Sequence, residues 1–145
     1  MVDQGLKLYL KEVVFHINEY KLELDDLSQV TTLNNRDHRA AVRLLQLLTE
    51  VSIGLAKHWV KSIQKESGSS AYQTFSILQG EGAISEEELV EWRKIIGLRN
   101  SLVHDYLNID KSIIQLIIKN EKYQTLVLFC QAAINSLQKT PPNPK

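Results

Sequence analysis

No proline interrupts this chain before Pro141. Proline removes a backbone donor and costs about 3 kcal/mol inside a helix. A long stretch without it can therefore stay helical, and the apolar spacing says that it does. Leu6, Leu10, Val13, Ile17, Tyr20, Leu24 and Leu27 step by alternating fours and threes, the seam of one long helix. Thr31 and Thr32 break it, and Asn34 or Asn35 can cap the next. A second seam runs Ala41, Leu44, Leu48, Val51, Leu55 and Trp59, and stops at the loop signal Glu66-Ser67-Gly68-Ser69.

Two capping boxes follow. Ser70 with Gln73 opens a short helix from Ala71 to Gln79, ended by Gly80 and Gly82. Ser85 with Glu88 opens a third main helix that runs to about His104, with Glu86 and Glu87 favoured at its positive end. Asp110 is the expected N-cap of a fourth, carrying Ile113, Leu116, Tyr123, Val127, Cys130, Ile134 and Leu137. No segment alternates with period two for long enough to suggest a sheet. The expected fold is all-α: an up-and-down four-helix bundle with an additional short helix. It forms one domain over residues 1–139, followed by a disordered tail, 140–145.

Composition narrows the function. The chain has 145 residues, enough for one core, and its 43% hydrophobic and 23% charged residues are those of a globular protein. The lone Cys130 excludes an internal disulfide and a cysteine-based zinc site, which suits a reducing cytoplasm. Lys7, Lys11 and Glu12 make the N-terminal stretch unlike a signal peptide, and no apolar run approaches the ~20 residues needed to span a bilayer. Lys+Arg equals Asp+Glu, 17 against 17, so any contact with nucleic acid should be local rather than general. No His/Asp/Glu set has metal-ligand spacing, and neither metal nor cofactor is expected.

The third helix carries the informative residues. At ~100° per residue, Leu89, Trp92, Ile95, Ile96, Leu98, Leu102 and Val103 fill an apolar arc, and Arg99 falls near its middle. A guanidinium cannot shed its proton to escape burial. Three roles fit: a packed stem with its head at a carboxylate or helix end, a bundle-core ion pair with Glu50 or Glu19, or an anion-binding group at a subunit interface. A polar strip flanks the arc: Arg93, Gly97, Asn100 and His104. Asn100 and His104, four apart, can meet. Gly97 costs about 1 kcal/mol against Ala in a helix interior, which implies a close approach by a helix or a substrate. His104 sits at the helix end, as a C-terminal capping histidine or as a functional group. Spacing alone does not choose. His16, His38 and His58 lie on other helices, without a partner pattern, as surface or seam residues.

The string Gly97-Leu98-Arg99-Asn100-Ser101-Leu102-Val103-His104-Asp105-Tyr106 resembles the Arg-x4-His motif of HEPN-domain proteins, and the added x-Tyr resembles the HepT subgroup. The resemblance spans most of the chain in architecture but only about residues 92–118 in recognisable sequence. It implies a metal-independent endoribonuclease acting as a toxin, with Arg99 and His104 catalytic and Asn100 supporting. It also implies an antitoxin partner, a minimal nucleotidyltransferase of the MntA kind, that adds AMP to Tyr106.

Those residues suit that chemistry. RNA supplies its own nucleophile, the 2′-hydroxyl. Cleavage then needs a base, an acid and positive charge on the phosphorane. His104 can be base or acid, with an unperturbed pKa of about 6.5, and the planar fork of Arg99 can clamp two phosphate oxygens. One motif supplies one histidine, so the expected active unit is a homodimer with two Arg99 and two His104 around one cleft. AMP on Tyr106 would put a phosphodiester anion where substrate phosphate binds. The competing expectations are a non-catalytic HEPN module that binds a nucleotide or docks a nucleotidyltransferase, and a structural bundle with a buried Arg network.

Overall fold

A computed structural model describes residues 3–63, 65, 66, 68–104 and 109–139. The expected tail, 140–145, lies outside them, and so does Tyr106. Among the described residues six helices follow in order: α1 (Gln4–Ser28), α2 (Asn35–Ser62), α3 (Ala71–Gly80), α4 (Glu86–His104), α5 (Lys111–Lys119) and α6 (Gln124–Lys139). Among the described residues there is no strand, and no helix is long and apolar enough to cross a membrane. The expected all-α class holds.

The helix starts are local chemistry. Asn34 caps α2 by accepting from the Asp37 N–H at 2.7 Å, while the Asp37 carboxylate accepts from the Asn34 N–H at 3.1 Å. Ser85 and Glu88 make the same reciprocal pair ahead of α4, at 3.0 and 2.8 Å. Asp110 accepts from the Ser112 N–H at the start of α5. The box at Ser70 is only half made: Ser70 Oγ accepts from the Gln73 N–H, but Gln73 Oε1 accepts from Ser69 instead, at 2.7 and 2.8 Å. Gly82, at φ 79°, ends α3 by turning the chain so that the Ala83 N–H reaches the Leu78 carbonyl.

Helix α2 is the hub and packs against every other helix. Its seam residues Ala41, Leu44, Leu48, Leu55 and Trp59 are buried, and they meet Leu10, Val13, Ile17 and Leu24 of α1 in one continuous core. Three rings join α3, α4 and α6: Phe75 stacks on Trp92 with centroids 4.0 Å apart, and Phe129 meets Trp92 edge-on at 5.0 Å. This cluster fixes the azimuth of α4. It turns Trp92, Ile96 and Leu102 inward, with Leu89, Ile95 and Leu98 half-buried. Val103, expected within the apolar arc, is 53% exposed.

The expected fourth helix is two. It breaks at residues 120–123, where Glu121 takes φ 52° and the Lys122 N–H bonds the Ile117 carbonyl. Behind the break, Tyr123 is fully buried and its hydroxyl donates to Asp25 Oδ1 of α1 at 2.6 Å. The anchored tyrosine resets the register. Ile114 and Ile118 are buried in α5, whereas Ile113 and Leu116, expected on the seam, are 48% and 58% exposed.

Candidate active site

Arg99 projects from α4 toward α2. Its Nε lies 3.5 Å from Glu50 Oε2, with side chains 24% and 54% exposed. Of the two acids the sequence offered, Glu50 is therefore the partner. Glu19 sits on α1 beside His16, 4.0 Å away. The Arg99–Glu50 contact is electrostatic only: Nε is buried and has no hydrogen-bond acceptor among the described residues. The guanidinium is held by charge while one donor stays unsatisfied, which costs free energy unless a ligand completes it.

Arg99 also lines a cavity of about 400 Å³, walled by Leu45 and Thr49 of α2, by Leu98 and Leu102 of α4, and by Lys122 in the turn after α5. Helix α4 packs on α2 and α3 but makes no close backbone approach to α5 or α6, and the gap is this cavity. The site is thus a mostly apolar hollow with cationic groups at Arg99 and Lys122, and with the Lys94–Glu91 ion pair also on its wall. Sequence reasoning missed Thr49 and Lys122. The apparent continuity of the fourth helix hid the turn that presents Lys122.

The polar strip beside Arg99 is exposed along its length: Arg93, Gly97, Asn100 and His104. Arg93 lies over the Tyr72 ring, 5.2 Å from its centre, a cation–π contact with α3. Among the described residues Asn100 and His104 do not hydrogen-bond each other. Gly97 faces open space. A Cβ there would meet nothing within 4 Å, so among the described residues no helix is the close neighbour its sequence implied. Tyr106 lies just past α4, outside the described residues.

The other histidines have separate surroundings. His16 lies between Glu12 and Glu19 on α1, 3.5 and 4.0 Å away. His58 packs on the Tyr9 ring at 4.5 Å, and its pKa is lowered first by burial and then by Lys61. His38 is lowered by burial, then by Lys111 and Arg39. Among the described residues no three His, Cys, Asp or Glu side chains are gathered as a metal-binding group.

The family model "Ribonuclease HepT-like" matches residues 10–133. No curated protein matches. Among solved structures, one chain of the crystal structure of a toxin-antitoxin with AMP-PNP superposes with a TM-score of 0.74 at 17% identity, covering 86% of this chain and 96% of that one. At that identity the likeness is one of fold.

Proposed function

Because the chain belongs to the HepT-like ribonuclease family, we propose that it is a metal-independent endoribonuclease toxin whose Arg99 and His104 act on RNA. The observation that carries this reading is Arg99, whose side chain lines the hollow and whose buried Nε has no hydrogen-bond partner among the described residues, on the helix that also bears Asn100 and His104. Such a group is ready for a phosphate oxygen.

Arg99 and His104 leave α4 about 140° apart at ~100° per residue. One copy therefore does not readily close both on one phosphate. In the proposed homodimer, the two α4 helices come together so that Arg99 and His104 of both protomers line one cleft. Arg99 of one protomer binds the phosphate and His104 takes the proton from the 2′-hydroxyl. The 2′-oxygen attacks phosphorus, the P–O5′ bond breaks, and the 5′-oxygen takes a proton from the second, protonated His104. The products are a 2′,3′-cyclic phosphate and a free 5′-hydroxyl.

Control is proposed to lie at Tyr106. A nucleotidyltransferase antitoxin of the MntA kind would join its hydroxyl to the α-phosphorus of ATP with loss of pyrophosphate. That would add an anion two residues beyond His104 in the sequence, a charge that repels RNA. The fold neighbour is a toxin-antitoxin with AMP-PNP, an ATP analogue, which supports this reading.

The test is RNA cleavage by purified protein in EDTA, wild type beside His104→Ala. Cleavage that survives EDTA and is lost in the variant supports the reading. Intact RNA with Tyr106 shown unmodified by mass spectrometry overturns it, leaving a module that binds nucleotide or partner without catalysis.

A further inference from the structure

The outer face of α2 carries a line of unpaired cations. At ~100° per residue, Arg36, Arg39, Arg43, Glu50, Lys57 and Lys61 fall within a sector of about 60°. All six are exposed, and Asp37 is the one charged residue of α2 outside the sector. From Arg36 to Lys61 the stripe runs about 38 Å at ~1.5 Å per residue. Its single acid is Glu50, the residue that Arg99 faces from α4.

Ion pairing does not account for it, and helix stability does so only at Lys61, in the last turn, where the macrodipole favours a cation. Among the described residues, Lys21, Lys65, Lys94 and Arg99 each sit beside a carboxylate, whereas none of the five stripe cations does. Arg39 with Arg43, and Lys57 with Lys61, are like charges at i,i+4, a destabilising arrangement. Arg36 and Arg39 stand in the opening turns of the helix, where the macrodipole disfavours cations. The chain has no net charge, so this concentration is local and tolerated at a cost to the helix. At the far end Lys57 and Lys61 border a groove of about 560 Å³ with His58.

We infer that this α2 stripe is a phosphate track along which an RNA strand lies, crossing the α4 site where Glu50 and Arg99 meet. The inference rests on the ribonuclease reading and adds to it the path of the substrate. A polyanion whose charges repeat along its length matches a straight row of cations. A stacked strand, at about 3.4 Å per nucleotide, covers the stripe with roughly eleven nucleotides. Arg36, Arg39 and Arg43 would take phosphates on one side of Arg99, and Lys57 and Lys61 those on the other.

The experiment measures binding of a fluorescein-labelled single-stranded RNA of about 12 nucleotides to the full chain carrying His104→Ala, over salt from about 50 to 200 mM. Two stripe pairs are compared with the parent: Arg36→Gln with Arg39→Gln, and Lys57→Gln with Lys61→Gln. Lys7→Gln with Lys11→Gln on α1 is the control. At about 0.7 per phosphate, each stripe pair is expected to weaken binding and to flatten the slope of log affinity against log salt by about 1.4. Raising the salt fourfold would then cost each variant about sevenfold less affinity than it costs the parent. The control is expected to keep the parent slope. Stripe variants that bind like the parent, or no differently from the control, overturn the inference and leave the stripe to an acidic protein surface. In the wild-type background the stripe pairs should raise KM with kcat unchanged. Cleavage at unchanged KM sinks the track alone. RNA bound through the stripe but never cut sinks the ribonuclease reading and keeps the track.

Discussion

Arg99 faces Glu50 across the α2–α4 interface with Nε 3.5 Å from Oε2, paired in charge but not hydrogen-bonded. The pair is partly exposed, so its attraction is screened and contributes about 1 kcal/mol or less to stability. Its larger effect falls on any phosphate that Arg99 must bind, because the carboxylate competes for the same cation. Glu50→Gln is therefore expected to leave the melting temperature within a few degrees of wild type and to tighten RNA binding, read as a lower KM. Weaker RNA binding with an intact fold would instead make Glu50 a positioning residue that holds Arg99 in place.

Arg99→Lys separates charge from geometry. Lysine keeps the cation but loses the planar fork. Cleavage should fall by at least tenfold, while circular dichroism and thermal unfolding remain close to wild type. An unchanged rate would show that Arg99 acts only as a point charge.

The Phe75–Trp92–Phe129 cluster sets the orientation of α4 and hence of the site. Phe75 is fully buried and stacked on Trp92 at 4.0 Å. Phe75→Ala removes that stack and leaves a cavity, at an expected cost of about 3–5 kcal/mol in denaturant unfolding. A cost below about 1 kcal/mol would mean that α4 is held by other contacts.

Local features of this fold were legible in the sequence, and those decided by distant residues were not. The α1 and α2 seams, the Asn34 cap and the Ser85–Glu88 box are written within a few residues of where they act. The break between α5 and α6 is not. Ile113, Ile114, Leu116, Ile117 and Ile118 offer apolar atoms on several sides, so periodicity alone allows more than one face. The register is settled by Tyr123 bonding Asp25, a contact between the two ends of the chain. The same limit applies at the site. An arginine in an apolar arc left three roles open, one of them an ion pair with Glu50 or Glu19; packing places Glu50 beside it. Gly97 implied a close neighbour, which the described residues do not supply.

The Tyr123–Asp25 bond gives stability a pH signature at both ends. Hydrogen bonds from Lys21 and then Tyr123 lower the Asp25 pKa below its usual 3.8. Below that value the unfolded chain binds more protons than the folded one, so this contribution is present above about pH 4 and is lost as pH falls. Burial, then the bond to Asp25, raises the Tyr123 pKa above its usual 10.0. Above pH 10 the unfolded chain loses that proton first, so stability is flat below about pH 10 and falls as pH rises. Tyr123→Phe, followed by urea unfolding from pH 8 to 11, is expected to lower stability at pH 8 and to shrink the alkaline decline. An alkaline limb as steep as that of wild type would assign the decline to other groups.

Cys130 reports on the integrity of the hub. Its thiol is fully buried in α6 and lies 3.2 Å from Ser52 Oγ of α2, and burial pushes its pKa up to about 11. A thiol must reach solvent and ionise before it reacts, and here α6 would have to leave α2 for either to happen. A disulfide reagent at pH 8 should therefore leave native protein unlabelled and, where reclosing is faster than reaction, modify it in proportion to the population opened by denaturant. Fast labelling without denaturant would show that α6 separates from α2 in the native state, and that the core behind the candidate site opens on its own.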